Sequence, residues 1–170
     1  ADVGIAFDGD ADRVIFTDAE GSVVDGDRIL ALCALDYKKR GQLAADSLVV
    51  TSMSNLGLHD AMREHGIRVD VTDVGDRYVL DRMRERGYTL GGEKSGHVIF
   101  LDYATTGDGI ITALQVLAVM ARTGKPLSEL RRRLQKFPQI LLNARVPRRR
   151  PLEELIRTAA LIRRTEQELG

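Results

Sequence analysis

A layered α/β fold, with a mixed sheet flanked by helices, is predicted by three observations. Short runs rich in Val, Ile and Leu alternate with amphipathic stretches of helical length, glycines close two of those stretches, and polar loops follow the apolar runs. Such alternation favours a largely parallel sheet, because parallel neighbours need a crossover long enough to hold a helix.

Val3-Gly4-Ile5-Ala6-Phe7 is the first strand. Val14 to Thr17 and Ser22 to Val24 flank the turn Asp18-Ala19-Glu20-Gly21 and read as a hairpin. Asp27, in Asp25-Gly26-Asp27, reads as the cap of a helix from Arg28 to Lys39. Cys33 falls among Ile29, Leu30, Leu32 and Leu35 of that helix, which marks it as a packing residue. Leu48 to Thr51 is a buried strand, and Ser52-Met53-Ser54-Asn55 leads into a helix that stops near His65-Gly66. His59 and His65 lie on its polar side without partnered ligands and read as surface residues.

Arg68 to Val71 is the next strand, and Tyr78 to Arg86 a helix closed by Gly87. Thr89-Leu90 enters a strand that runs into Gly91-Gly92-Glu93, and Val98 to Leu101 returns. Asp108 or Thr106 caps the longest helix, Gly109 to Arg122, with Ile110, Ile111, Leu114, Leu117, Ala118 and Ala121 as its expected core stripe. Leu127 to Arg133 is a short helix and Gln139 to Val146 a strand. Pro147-Arg148-Arg149-Arg150-Pro151 reads as an exposed interdomain hinge, anion binding by its arginines being the other reading. Leu152 to Leu169 is a final amphipathic helix, which needs a surface on which to bury its apolar face.

The 170 residues are 44% hydrophobic, the composition of a globular protein with a sizeable core. Acidic and basic residues balance at 25 each, so no global field favours nucleic acid or an anionic membrane. A single cysteine excludes an internal disulfide, and no apolar run approaches the ~20 residues needed to span a bilayer. A reducing cytoplasm is the expected compartment.

The chemistry concentrates in loops. Asp8-Gly9-Asp10-Ala11-Asp12-Arg13 places three carboxylates at alternate positions directly after the first strand, where they can converge on one cation. Hard oxygen donors suit Mg²⁺, which keeps open positions for water or phosphate oxygens, and Arg13 could grip a phosphate beside it. A solvated turn is the plainer alternative. An EF-hand is the less favoured reading, because that motif wants a helix on each side and Glu at position twelve, which counted from Asp8 is Ala19. An aspartyl phosphatase of the dehalogenase type, with Asp8 as nucleophile, wants Thr or Val where Asp12 stands.

A second loop, Gly91-Gly92-Glu93-Lys94-Ser95-Gly96-His97, crowds polar groups between two strands. Glu93 and Ser95 suit sugar hydroxyls, and Lys94 or His97 could meet a phosphate or relay a proton. A glycine turn with a solvated charge pair is the alternative. A third candidate, Val74-Gly75-Asp76-Arg77-Tyr78, is a strand-to-helix turn where backbone N–H groups and Arg77 could face an anion, or where Asp76 simply caps the helix.

Together these residues resemble the α-D-phosphohexomutase superfamily over nearly the whole chain. Asp8-Gly9-Asp10-Ala11-Asp12-Arg13 is similar to its metal loop and Gly92-Glu93-Lys94-Ser95-Gly96-His97 to its sugar-recognition loop. Thr51-Ser52-Met53-Ser54-Asn55-Leu56-Gly57, Val74-Gly75-Asp76-Arg77-Tyr78-Val79 and Thr105-Thr106-Gly107-Asp108-Gly109 resemble its glucosamine branch, although Lys94 stands where that branch has Gln.

The resemblance implies Mg²⁺-dependent interconversion of glucosamine 6-phosphate and glucosamine 1-phosphate through a phosphoserine and a bisphosphorylated sugar, toward UDP-N-acetylglucosamine and cell-wall precursors. It implies metal ligation by Asp8, Asp10 and Asp12, and catalytic roles for Arg13 at the phosphoserine and His97 at the reacting end. Glu93, Lys94, Ser95, Gly75, Asp76 and Arg77 would bind substrate. Glucose or mannose phosphates as substrate, or a non-catalytic sugar-phosphate-binding piece, are the other readings. The superfamily's Thr-Ala-Ser-His-Asn-Pro serine loop and Ser-Gly-Thr-rich phosphate loop do not occur in these 170 residues. The chain is therefore expected to be a fragment, inactive by itself. Residues 1–24 would end a second domain, 25–146 would form the third, and 147–170 would be a linker and the first helix of a fourth.

Overall fold

The computed structural model describes residues 1–142, 145–146, 148, 150–151 and 154–169. They divide into two compact units, Ala1–Pro138 and the segment from Gln139 onward.

The first unit opens with a three-stranded antiparallel sheet in the order β1-β2-β3, built from β1 (Val3–Phe7), β2 (Val14–Asp18) and β3 (Val23–Val24). Phe7 pairs with Val14, so the acidic loop is the connection of a hairpin. Helix α1 (Gly26–Lys39) follows. Its cap is Asp25, whose side chain accepts the Arg28 N–H. This corrects the expectation for Asp27, which is buried two residues further on, in the first turn, and accepts the Asn55 N–H at 3.1 Å.

The second sheet has the order β5-β4-β6-β7, from β4 (Ser47–Thr51), β5 (Arg68–Thr72), β6 (Leu90–Gly92) and β7 (Val98–Phe100). The first three are parallel and β7 is antiparallel to β6. Helix α2 (Leu56–Glu64) links β4 to β5, and α3 (Asp76–Arg86) links β5 to β6. Strand alternation sorts the core into two layers: Leu48, Val50, Val98 and Phe100 join the large cluster with α1, while Val49 and Ile99 meet Val79 and Met83 of α3. Helices therefore cover both faces of this sheet. Each fully buried Leu, Val or Phe contributes roughly 1.5–3 kcal/mol.

Helix α4 (Gly109–Thr123) is capped by Asp108, which accepts the Ile111 N–H at 2.9 Å. Its buried face is Gly109, Thr112, Ala113, Val116 and Val119. The expected stripe is thus misphased: Ile110 and Leu114 are 56% and 60% exposed, Ala121 is exposed, and Leu117 and Ala118 are only half-buried. Only Ile111 of that set packs against the main cluster. The helix is apolar on several faces, so hydrophobicity alone does not choose which face turns inward. The short α5 (Leu127–Leu130) runs into a 3-10 turn, Arg131–Arg133. Asn55 then clamps the segment that follows, its amide nitrogen donating to the Phe137 carbonyl and its amide oxygen accepting the Phe137 N–H, both at 2.9 Å.

In the second unit the expected strand at 139–146 is absent among the described residues: Gln139 to Leu142 have no regular secondary structure and are exposed. Asn143, Ala144, Pro147, Arg149, Leu152, Glu153 and Gly170 lie outside the described residues. The final helix, α6, spans Ile156–Leu169, and its expected start at Leu152 lies outside the described residues.

Candidate active site

The acidic loop converges by a turn rather than by extended alternation. Ala11 adopts φ 60° and its N–H returns to the Asp8 carbonyl at 3.3 Å, which folds Asp10 and Asp12 back toward Asp8. Ligand oxygens of Asp8, Asp10 and Asp12 lie within 4.8 Å of one another. An octahedral Mg²⁺ with bonds of about 2.1 Å sets ligand oxygens roughly 3 to 4.2 Å apart, so small side-chain rotations bring this set into its coordination shell. The donor set fits the ion: all ligands are hard carboxylate oxygens, and Asp8 and Asp10 open to solvent.

The Arg13 guanidinium stands beside this cluster, its Nε 3.8 Å from Asp8 and 3.7 Å from Asp12. Half of that side chain is exposed, which leaves it free to turn toward an anion. A cavity of about 310 Å³ lies between Phe7, Asp8 and Arg13 on one side and Ser95 on the other.

The polar loop between β6 and β7 is fastened to the acidic loop. Val14 N–H donates to the Gly96 carbonyl at 3.2 Å, and Arg13 and His97 form an isolated antiparallel bridge. Gly96 has φ +94°, and a Cβ there would overlap the Val14 carbonyl, so glycine is required at this crossing. The start of α1 supports the loop from below: Gly26 N–H donates to the Lys94 carbonyl at 3.1 Å. Ser95 is exposed and Lys94 half-buried.

Glu93 reaches the third loop, where its Oε1 accepts the Gly75 N–H at 3.0 Å. Gly75, without a side-chain cap, precedes α3, and Asp76 accepts the Arg77 N–H at 2.7 Å. Arg77 extends into solvent and pairs with Asp81 at 3.5 Å. The three candidate loops are thus connected, with the polar loop in the middle.

His97 is placed differently from the sugar-binding groups. It is 2% exposed, with Nδ1 3.0 Å from Asp12 Oδ2 and Nε2 accepting the Gly107 N–H at 3.1 Å. Both ring nitrogens of His97, the residue expected at the reacting end, therefore have polar partners within this chain. Gly107 is the residue that sequence reasoning missed, and the glycine-flanked Thr105-Thr106-Gly107-Asp108-Gly109 run was its only signal.

Two buried groups outside the loops are electrostatically distinct. Burial pushes the Asp27 carboxyl up from its ordinary value, against the Asn55 N–H, with the Asp25 charge adding to the rise. Burial pushes the Cys33 thiol up to about 12, which makes it inert packing as expected.

Residues 25–137 match the family model described as phosphoglucomutase/phosphomannomutase, alpha/beta/alpha domain III. The chain belongs to the phosphoglucomutase/phosphomannomutase family. Within this phosphohexomutase family it is 59% identical over 173 aligned residues to a phosphoglucosamine mutase of Frankia casuarinae. It is 57% identical over 170 residues to another of Bdellovibrio bacteriovorus. All of this chain is covered in both alignments, and it spans 37% of the length of each of these relatives. Its fold is similar to that of a putative phosphomannomutase from Thermus thermophilus, with TM-score 0.71 and 29% identity over 76% of this chain and 29% of that one.

Proposed function

We propose that this chain supplies the cation seat and sugar-recognition surface of a phosphoglucosamine mutase, which interconverts glucosamine 6-phosphate and glucosamine 1-phosphate through a phosphoserine and a bisphosphorylated sugar. The observation that carries the reading is the joining of the acidic loop, the polar loop and the turn before α3 by backbone and carboxylate hydrogen bonds. The similarity of all of this chain to a part of phosphoglucosamine mutases supports the choice of sugar.

Asp8, Asp10 and Asp12 hold Mg²⁺ in this reading, and the bound ion supplies neutralisation of phosphoryl charge. Arg13 leaves its carboxylate neighbours to grip an oxygen of the phosphoserine, for which a guanidinium fork is suited. Glu93 and Ser95 orient sugar hydroxyls, Lys94 meets a polar group of the same sugar, and Gly75, Asp76 and Arg77 form the far wall of the substrate site. Phosphoryl transfer needs positioning and charge compensation more than covalent help from the protein, and this set supplies both.

The donor serine belongs to a different segment of the whole protein, in keeping with the absence of a Thr-Ala-Ser-His-Asn-Pro loop from these residues. Residues 1–24 then close a second domain, 25–146 form the third, and 147–170 lead into a fourth. The setting is cytoplasmic synthesis of UDP-N-acetylglucosamine for peptidoglycan precursors. Balanced charge, with no helix long and apolar enough to cross a membrane among the described residues, accords with a small-molecule substrate rather than nucleic acid or lipid.

The test is a coupled assay of glucosamine 1-phosphate formation by the whole protein carrying this chain. Asp10→Ala and Glu93→Ala should each lower kcat/KM by about 100-fold or more. Near-normal activity in both variants would remove the role assigned to these loops, and faster turnover of glucose or mannose phosphates would move the substrate assignment. The 170-residue chain alone should show no turnover.

A further inference from the structure

Residues 134–137 form a strap that follows the 3-10 turn and touches the starts of both α1 and α2. Leu134 anchors the strap in the core. Beside it, a Cβ on Gly57 would overlap the Gln135 carbonyl, so only glycine lets the strap lie this close to the first turn of α2. The buried Asn55 amide then pairs with Phe137 in both directions, as a neighbouring strand would, while its Oδ1 also accepts the Gly57 N–H at 3.0 Å. Between these contacts Lys136 pairs with Asp25, the cap of α1. The next residue is Gly26, whose N–H holds the Lys94 carbonyl of the polar loop at 3.1 Å. A continuous path of contacts therefore leads from Asn55, through the strap and the start of α1, to the loop that bears Glu93 and Ser95.

We infer that Asn55 and Lys136 are positioning residues of the polar loop: Asn55 pins the strap, and the pinned strap sets Lys136 on Asp25, which fixes Gly26 beneath Lys94. The inference rests on the proposed reading of that loop as the one that binds the sugar. The residue type at position 55 fits the task. Ser or Asp would cap α2 equally well, but Ser is too short to span both polar groups of Phe137, and an ionised Asp has no donor for the Phe137 carbonyl. Groups that orient substrate tolerate little displacement, so a loosened brace weakens the grip of Glu93 and Ser95 without touching them.

Steady-state formation of glucosamine 1-phosphate by the whole protein, together with amide hydrogen exchange, tests this. Asn55→Ser keeps a cap for α2 but lets go of Phe137, and Lys136→Met keeps the apolar stem without the charge. Each should raise KM for glucosamine 6-phosphate by about 3- to 10-fold with kcat within about twofold, the pattern of lost binding rather than lost chemistry. Lys136→Arg, which can still pair with Asp25, should stay within about twofold of the parental KM. Because both side chains act through one strap, the double variant should be no worse than the poorer single one. Exchange at the Phe137 and Gly26 amides should rise by about tenfold in Asn55→Ser. Parental KM in folded Asn55→Ser and Lys136→Met, or a double variant whose loss is the product of the two single ones, would overturn the inference. So would an unprotected Phe137 amide in the parent, a readout that needs no variant to fold. If Glu93→Ala also leaves KM and kcat at parental values, the sugar-binding reading of the loop fails and this inference falls with it; if Glu93→Ala impairs turnover while the two brace variants do not, the inference fails alone.

Discussion

The Glu93 carboxylate accepts the Gly75 N–H at 3.0 Å, joining the loop after β6 to the turn before α3 through a single side chain. A hydrogen bond to a charged acceptor contributes about 1.5–3 kcal/mol where it is shielded, and less at this half-buried position. Glu93→Ala should raise amide hydrogen exchange at Gly75 by about tenfold, while Glu93→Gln should keep most of the protection. Equal exchange in Glu93→Ala and the parent would show that the turn holds its shape without this bond.

Asp27 predicts an unusual pH response. Its folded-state pKa lies above its unfolded value, so the folded chain binds the extra proton between the two values and stability falls as pH rises through that window. The penalty is absent below the unfolded value, near 3.8, and complete above the folded one. Asp27→Asn keeps an oxygen acceptor for the Asn55 N–H and should raise the melting midpoint at pH 7 by a few degrees while changing it little at pH 3.5. Thermal melts across pH 3.5–7 check this, and a lower midpoint for the variant at pH 7 would refute it.

Asp18 has the opposite sign. Burial would push its carboxyl up, but the Ser22 N–H, the Arg131 guanidinium and the Glu20 N–H together hold it below its ordinary 3.8. Its contribution is present above the unfolded pKa and is lost as pH falls through the folded one. Arg131→Ala leaves this fully buried carboxylate without its cation and should lower the midpoint at pH 7 by several degrees, with a smaller difference below pH 3. A pH-independent difference would point to lost packing instead.

Gly26 lies against the polar loop so closely that a Cβ would overlap the Glu93 carbonyl and come within 2.8 Å of the Gly96 nitrogen. Both neighbours are backbone and cannot rotate aside. Gly26→Ala should cost about 1–3 kcal/mol despite the better helix propensity of alanine, and in the whole protein it should raise KM for the sugar phosphate. Denaturant unfolding and steady-state kinetics measure the two effects, and a stabilised variant with unchanged KM would contradict them.

Most of the strands and helices were legible because each carries a local signal: Leu48 to Val50 is uniformly apolar, Gly66 and Gly87 stop helices, and Asp108 stands where α4 needs a cap. The two loops with chemistry were legible for the same reason, since Asp8, Asp10 and Asp12, like Glu93 to His97, lie close together in the chain. Where local signals compete, the reading failed. Asp25 and Asp27 are both adequate caps, and α1 could begin on either; the buried site that receives the Asn55 N–H took Asp27. Gln139 to Val146 has strand-forming residues, but no neighbouring strand pairs with its described part, and an unpaired strand has no partners for its backbone groups.

By itself the sequence determined the fold class, the acidic cluster and the polar loop, because period, capping and short-range spacing are properties of neighbouring residues. Tertiary structure decided which face of α4 turns inward, that Glu93 holds Gly75, and that His97 sits between Asp12 and Gly107. Those contacts join residues 18, 85 and 10 positions apart, and their geometry follows from how β6, β7 and the first hairpin pack together. Local propensity cannot reach that far: a hydrogen bond across such distances forms only when the packed core has already fixed both of its ends.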